Sequence, residues 1–173
     1  MTSIRNASPD DAERLLEIYA PYVLNTAVTF EYKVPSIEEF RKRISQTIFQ
    51  YPYLVAEKNG EIIGYTYAGV FKARPAYNHC VETSIYIDAA YHHQGIGRML
   101  YEALEERLKP MGILNANACI SWIDKPDEYL THDSPLFHTK CGYTKVAHFH
   151  QCGYKFNRWY DMIWMEKMLG DHT

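Results

Sequence analysis

The feature that most constrains this chain is a turn with two glycines, His93-Gln94-Gly95-Ile96-Gly97-Arg98, which joins a strand-like run to a helical run. The strand-like run extends from Val81 to Ile87, and the helical run extends from Met99 to Leu108. A glycine-containing turn at a helix N-terminus presents unpaired backbone N–H groups and the positive end of the helix dipole. The turn therefore predicts a seat for an anion such as a pyrophosphate.

The spacing of this turn argues against two common nucleotide-binding loops. A dinucleotide fingerprint needs a third glycine where Leu100 stands, and a Walker loop ends in Gly-Lys-Ser/Thr. A plain turn before a surface helix gives the same short pattern, so that alternative stays open. If the anion seat is correct, a branched side chain at Gly97 is expected to meet the bound phosphate groups.

Composition and charge limit the fold size and the partners. The chain has 173 residues, 47% of them hydrophobic, which predicts a single domain over residues 1–173 that buries roughly 70% of its unfolded surface. A net charge of −3 gives no broad attraction for nucleic acid or anionic membranes. We expect neither partner, and the absence of a leader pattern, of a ~20-residue apolar run and of paired cysteine motifs favours a cytoplasmic protein with reduced thiols.

Periodicity along the chain predicts mixed helices and strands of an α/β fold. Two helices are predicted after the capping residues Ser8 and Ser36, and Asn59-Gly60 predicts a two-residue hairpin turn. The other predicted elements are an opening strand at Ile4, strands at 53–57, 61–70, 81–88, 113–120, 144–151 and 159–166, helices at 97–109 and 134–141, and a connection at 153–158.

This order of elements and several sequence blocks resemble the GNAT superfamily of N-acetyltransferases, and within it the phosphinothricin acetyltransferase group. The blocks are Tyr53-Leu54-Val55-Ala56-Glu57, Phe71-Lys72-Ala73-Arg74-Pro75-Ala76-Tyr77, Val81-Glu82-Thr83-Ser84-Ile85-Tyr86-Ile87, the turn at 92–97, Phe137-His138, Gly142-Tyr143 and Gly153-Tyr154-Lys155-Phe156-Asn157-Arg158-Trp159-Tyr160-Asp161. The resemblance implies a mixed, mostly antiparallel central sheet with flanking helices. It also implies an acetyl-CoA co-substrate, a homodimer, and direct transfer in a ternary complex to a small amine such as phosphinothricin, methionine sulfoximine or methionine sulfone.

The resemblance also implies which residues bind the cofactor. In this fold the strand before the pyrophosphate loop offers free backbone groups to the pantetheine arm and an N–H to the thioester oxygen. The implied cofactor contacts are Ile85, Tyr86, Ile87, His93, Gln94, Gly95, Ile96, Gly97, Arg98, Asp133 and Ser134. Related sequences often have an asparagine where Asp133 stands, so a carboxylate there puts cofactor affinity in doubt.

Acyl transfer to an amine needs a group that accepts the ammonium proton. Glu82 alternates with Ser84 and Tyr86 on one strand face, and similar enzymes carry their catalytic glutamate at this position, which makes Glu82 the candidate base. His138 matches a family histidine that moves a proton or binds substrate, although a charge at a helix C-terminus is an equal alternative. The candidate acceptor contacts are Lys72, Arg74 and Tyr77, unless they form an ordinary exposed basic turn.

Three alternatives remain open from the sequence. A peptide or protein N-terminus could replace the small amine as acceptor, and the fold could bind acyl-CoA without catalysis. A zinc module is the third, because His148, His150 and Cys152 alternate along a strand and His79-Cys80 could complete a ligand set. No paired Cys-x-x-Cys or His-x-x-x-His pattern supports it, so we predict no metal site. The role of the acidic loop at 122–132 is not readable from sequence.

Overall fold

The helices and strands follow the predicted order, and the computed structural model describes residues 1–172. They are β1 (Thr2–Asn6), α1 (Ala12–Asn25), α2 (Ile37–Ile48), β2 (Tyr53–Lys58), β3 (Glu61–Val70), β4 (Cys80–Ile87), α3 (Ile96–Leu108), β5 (Asn115–Trp122), α4 (Asp133–Lys140), β6 (Thr144–Lys155) and β7 (Arg158–Met168). Within residues 1–172, no helix combines the length and the apolar character that a membrane crossing requires.

The strands form one sheet in the order β1-β2-β3-β4-β5-β7-β6, in which β4 and β5 are parallel and all other neighbours are antiparallel. The predicted mixed, mostly antiparallel sheet is therefore confirmed. Side chains of β2 alternate between the two faces of the sheet and contribute to two separate hydrophobic clusters. Leu54 packs with α3 on one face, while Tyr53 and Val55 pack with α1 and α2 on the other. The two faces of β4 consequently meet different helices.

Local signals of the sequence correspond to observed contacts. The Ser36 hydroxyl accepts the backbone N–H of Glu39 and caps α2. Asn59 and Gly60 adopt positive φ angles of 54° and 81°, as the predicted hairpin turn requires. The predicted connection at 153–158 is too long, because β6 continues to Lys155 and a second two-residue turn with positive φ suffices before β7.

A buried lysine fixes the segment that follows α1. The Lys155 side chain is 4% exposed, and its Nζ donates hydrogen bonds of 2.7–2.8 Å to the backbone carbonyls of Val23, Thr26 and Thr29. Desolvation lowers the pKa of this ammonium, and the charge of Glu31 opposes that shift. Three oriented carbonyls therefore replace the water that the ammonium loses, and they tie the α1–α2 connection to the β6–β7 hairpin.

We predict that Lys155→Met lowers the free energy of unfolding by about 3 kcal/mol, because methionine replaces the apolar part of the side chain but lacks the ammonium, and so leaves three buried carbonyls unsatisfied. Urea denaturation measures the change. Lys42→Met on α2, where the lysine is exposed, is the matched control and should change stability by less than about 0.5 kcal/mol. Equal stability of the two variants would contradict the proposed contribution of Lys155.

Candidate active site

The two parallel strands at the centre of the sheet diverge, and this opens a wedge. Strands β4 and β5 pair only at Cys80–Asn115, Val81–Ala116 and Glu82–Asn117. Beyond Glu82, β4 continues to Ile87 and pairs with β3 alone within residues 1–172. The backbone groups on the β5 side of residues 83–87 therefore lack a strand partner, and an extended ligand with amide groups can satisfy them.

The two-glycine turn lies at the end of β4 where this wedge widens. Gly95 is the N-cap of α3 with φ +79°, and the first helical bond runs from Met99 N to Gly95 O. The N–H groups of Ile96, Gly97 and Arg98 have no acceptor within the helix, because a helix leaves its first turn of donors unpaired. Gln94 is held by a bond to Ala90 O, so the turn is preorganised as an anion seat.

The two glycines meet different structural requirements. Gly95 has open space around it but needs the left-handed φ that other residues adopt at a cost. At Gly97, an added Cβ would lie 2.8 Å from the Phe137 ring of α4, so this glycine permits the close packing of α3 on α4. The expectation that a side chain at Gly97 would point at the phosphate groups is wrong, because that direction is occupied by Phe137.

Side chains of β4 after Glu82 are mostly engaged in the core. The Tyr86 ring packs edge-on against Tyr19 at 4.9 Å, and Ile85 packs against the core beneath α3. The carbonyl of Ile87 accepts the Tyr22 hydroxyl and lies 3.1 Å from His92 Nε2. The predicted cofactor contacts of Ile85 and Tyr86 would therefore have to come from their backbone groups.

Two other predicted cofactor contacts lie in the glycine turn. His93 is exposed with φ +59°, and Arg98 is exposed and paired with Glu102.

Glu82 lies at the narrow end of the wedge, on the face covered by α1 and α2. Its strand partner on β3 is Gly69, and its side chain is half-buried with no hydrogen bond inside residues 1–172. Burial raises the pKa of the Glu82 carboxyl, while the nearby Lys72 ammonium acts in the opposite direction. A carboxylate with a raised pKa and open acceptor positions is suited to take a proton from a ligand.

A cavity of about 340 Å³ lies between α2 and the strands on the same face as Glu82. Its wall includes Gly69 and Tyr67, which pair with Glu82 and Ser84 across the β3–β4 ladder. Arg43 also lines it, but its guanidinium is already paired with Glu31 at 2.8 Å. The other lining groups are aromatic rings, side-chain amides, one threonine hydroxyl and one valine, so the cavity suits an apolar or neutral polar group. They belong to Tyr19, Phe40, Gln46, Thr47, Gln50, Tyr51, Tyr53, Tyr65, Val70 and Tyr86.

Of the three predicted acceptor contacts, the structure brings Lys72 near Glu82. Its Nζ lies 5.6 Å from the centre of the Trp164 ring, and its charge acts on the Glu82 carboxyl. Arg74 is exposed and makes no ion pair within residues 1–172. Tyr77 is 42% exposed and packs edge-on against Phe71. The roles of Arg74 and Tyr77 in binding an acceptor stay predictions.

His138 is a buried neutral side chain on the opposite face of the sheet. Its Nδ1 lies 2.8 Å from the carbonyl of Ser134 and must donate, so Nε2 accepts the Tyr101 hydroxyl at 2.8 Å. Burial lowers the pKa of His138 to about 4, which favours a neutral ring over a positive charge at the C-terminus of α4. Tyr101 also reaches Thr83 of β4 at 3.5 Å, a connection through α3 that the sequence did not indicate.

The start of α4 and the acidic loop before it have structural partners. Asp133 is exposed in the first turn of α4, where a negative charge is favourable, and accepts the Thr131 hydroxyl at 2.9 Å. Ser134 Oγ lies 3.4 Å from His138 Nδ1. In the loop, Asp127 accepts Arg158 and the Tyr160 hydroxyl, both at 2.9 Å. The charges of this loop therefore dock it on the β6–β7 hairpin.

The zinc ligand set considered from the sequence is not assembled. Cys80 pairs with Asn115 at the beginning of β5, while Trp122 at its end pairs with Asp161, near His148. The two ends of β5 are about 23 Å apart at 3.3 Å per residue. His79 and Cys80 consequently cannot share a metal with His148. The third ligand atom near His148 and His150 belongs to Asp161 and not to Cys152, which the strand alternation predicts.

Comparison with known proteins finds acetyltransferases by sequence and by structure. The family model described as an acetyltransferase (GNAT) domain matches residues 4–164. The chain is 34% identical to the phosphinothricin N-acetyltransferase of Alcaligenes faecalis over 99% of this chain and 85% of that protein, and 29% identical to the L-amino acid N-acyltransferase of Escherichia coli over 99% and 96%. A crystal structure of the Sinorhizobium meliloti phosphinothricin acetyltransferase with acetyl-CoA superimposes with a TM-score of 0.88, at 33% identity over 98% of this chain and 89% of that one.

We predict that the Glu82 carboxyl titrates above the ordinary range of glutamates, and that Lys72→Met raises its pKa further. The Lys72 charge favours the ionised carboxylate, so its removal leaves burial unopposed. Carboxyl carbon NMR across a pH series measures both values. Lys109→Met, at an exposed position after α3, is the control and should leave the titration unchanged. A lower pKa in Lys72→Met would contradict this electrostatic arrangement.

Proposed function

The chain belongs to the GNAT family of acetyltransferases, and on that premise we propose that it transfers the acetyl group of acetyl-CoA to the amino group of a small amino-acid-like molecule. The observation that carries the proposal is the position of Glu82, a half-buried carboxylate with a raised pKa where β4 and β5 begin to separate. A group there faces both an extended ligand in the wedge and a molecule entering from the α1–α2 face.

Acetyl-CoA suits the wedge chemically. Its pantetheine arm carries amide groups that can pair with the unpartnered backbone of residues 83–87, as a further strand would. Its pyrophosphate can accept the N–H groups of Ile96, Gly97 and Arg98 at the start of α3. The bound acetyl-CoA of the S. meliloti relative, which shares 33% identity and the same fold, supports this assignment.

In the proposed reaction, Glu82 accepts one proton from the substrate ammonium, either directly or through a water molecule. The neutral amine then attacks the thioester carbonyl, whose oxygen is stabilised by a backbone N–H of β4. The new C–N bond forms as the C–S bond breaks, and the leaving sulfur takes the second amine proton as CoA thiol. Both substrates are bound together, and no acyl-enzyme is required.

The acceptor class follows from the surroundings of Glu82. The Lys72 ammonium offers a charge for a carboxylate or phosphinate, and Arg74 is an exposed cation in the same connection. The 340 Å³ cavity of tyrosines and amides can receive an apolar or neutral polar side chain. The relatives named for phosphinothricin and L-amino acids act on molecules that combine these groups, which supports an α-amino acid as the acceptor.

Release of CoA thiol in the presence of candidate amines tests the function. We expect release with phosphinothricin, methionine sulfoximine, methionine sulfone or another free amino acid, and little with polyamines or short peptides. Release with peptides alone would instead support a peptide or protein N-terminus as acceptor. Tight acetyl-CoA binding with no release for any amine would reject catalysis in favour of an acyl-CoA-binding module.

We also propose a homodimer in the cytoplasm. The face of β5, β7 and β6 that lies on the Glu82 side carries exposed apolar groups, including Phe149 at 50% exposure beside Met162 and Trp164. A second copy packed there would remove this apolar surface from water. The four cysteines are all free thiols, a state that reducing compartments maintain.

Glu82→Gln should lower turnover by roughly 10²–10⁴-fold at neutral pH, because the amide keeps the shape of glutamate but cannot accept a proton. The deficit should shrink as the pH approaches the pKa of the acceptor amine, since the amine then arrives deprotonated. Turnover measured across pH, together with calorimetric titration of acetyl-CoA, checks both points. A deficit that is equal at all pH values would assign Glu82 to substrate positioning instead.

The two glycines of the turn should differ when substituted. Gly95→Val should weaken acetyl-CoA binding by about 10-fold, because the left-handed φ costs about 1–2 kcal/mol and the strained turn displaces the helix donors. Gly97→Val should instead lower the free energy of unfolding by about 1–3 kcal/mol through its clash with Phe137. Calorimetric titration and urea denaturation of both variants separate the effects, and full affinity in Gly95→Val would remove the anion seat.

A further inference from the structure

We propose that His148, His150 and Asp161 form a binding site for one divalent transition-metal ion of the zinc class. One ligand atom of each residue lies within 4.8 Å of the others, across neighbouring strands β6 and β7. This site is independent of the proposed acetyl transfer, and it revises our expectation from the sequence that the chain carries no metal site.

The carboxylate of this triad is oriented by the backbone. Asp161 Oδ1 accepts the N–H of Gln151 at 2.7 Å, at a bulge where Gln151 adopts φ +47° and the register of β6 shifts. The other oxygen, Oδ2, faces His148 Nε2 at 2.7 Å. A backbone donor on one oxygen leaves the other directed at the two imidazoles, which is the arrangement that fixes a ligating carboxylate in metal sites.

The two imidazoles approach each other in parallel. Their ring centres are 4.3 Å apart with an angle of 15° between the planes. In this stacked arrangement the in-plane nitrogen lone pairs of the two rings do not converge on one point. The His150 side chain is exposed and makes no hydrogen bond in the described part of the chain, so its ring is free to turn and direct a nitrogen at an ion held by the other two residues. His148 is held from one side by the edge of the Trp122 ring, at 6.3 Å between centres.

The composition of the triad selects the metal. Two neutral imidazoles with one carboxylate favour Zn²⁺, Co²⁺, Ni²⁺ or Cu²⁺, whereas Ca²⁺ and Mg²⁺ prefer oxygen ligands alone. Three protein ligands leave at least one position for water. A bound ion would replace the His148–Asp161 hydrogen bond with two coordinate bonds and would join the bulged edge strand β6 to β7.

The test uses the 173-residue chain without an affinity tag, stripped of metal and titrated with ZnCl₂ by calorimetry. We expect one Zn²⁺ per chain, a rise in melting temperature with Zn²⁺, and no binding of MgCl₂. His150→Gln should weaken Zn²⁺ binding by at least about 10-fold and abolish the rise in melting temperature. His172→Gln, at another exposed histidine, is the matched control and should bind as the unchanged protein does.

A second variant addresses the carboxylate. Asp161→Asn keeps an oxygen for the Gln151 N–H but removes the charge, so Zn²⁺ binding should weaken while the fold persists. If this variant fails to fold, the exposed His150 substitution still decides the matter. No Zn²⁺ binding by the unchanged protein, or equal binding by His150→Gln, would overturn the site and leave His148 and Asp161 as a simple hydrogen-bonded pair.

Discussion

The separation of β4 from β5 is the constraint on which the rest of the site depends. A parallel pair in the centre of a sheet normally continues its hydrogen bonds along its full length, yet here the ladder stops at Glu82 and Asn117. Backbone groups exposed in this way are costly unless a ligand or water satisfies them. The fold therefore provides a site for an extended amide-containing molecule through its backbone, with little demand on side-chain identity.

The same sheet separates two chemical environments. On one face, Glu82 pairs across the β3–β4 ladder with Gly69, which lines the tyrosine-rich cavity, and the Lys72 charge acts on its carboxyl. On the other, Thr83 contacts Tyr101 and thereby the buried His138, which burial keeps neutral. A carboxyl group whose pKa is raised by burial thus lies on the cavity side of β4, while the histidine on the other side has a lowered pKa. His138 of α4 thereby contacts α3 through its hydrogen bond with Tyr101, and its role in moving a proton or binding substrate stays a prediction.

Much of this fold can be predicted from the sequence, because its helices, strands and turns depend on local patterns. Caps, apolar spacing and the Asn59-Gly60 turn predict elements from neighbouring residues, and the observed elements follow them. Contacts between segments that are distant along the chain could not be predicted from the sequence. Lys155 bonds carbonyls more than 120 residues earlier, and the need for glycine at position 97 arises from Phe137 on another helix. The bulge in β6 that brings Asp161 close to His148 likewise leaves no periodic pattern in the sequence from which it could be predicted.

Several residues of the C-terminal block at 153–161 make contacts of this long-range kind. Gly153 lies against the Phe30 ring, which leaves no room for a Cβ, and Lys155 donates to a carbonyl near the end of α1. Arg158 and Tyr160 both bind Asp127 of the acidic loop. One hairpin therefore anchors two connections that are far apart in sequence and that approach the Glu82 side of the sheet. Because both sets of contacts converge on this hairpin, a change in its packing would disturb the two connections together.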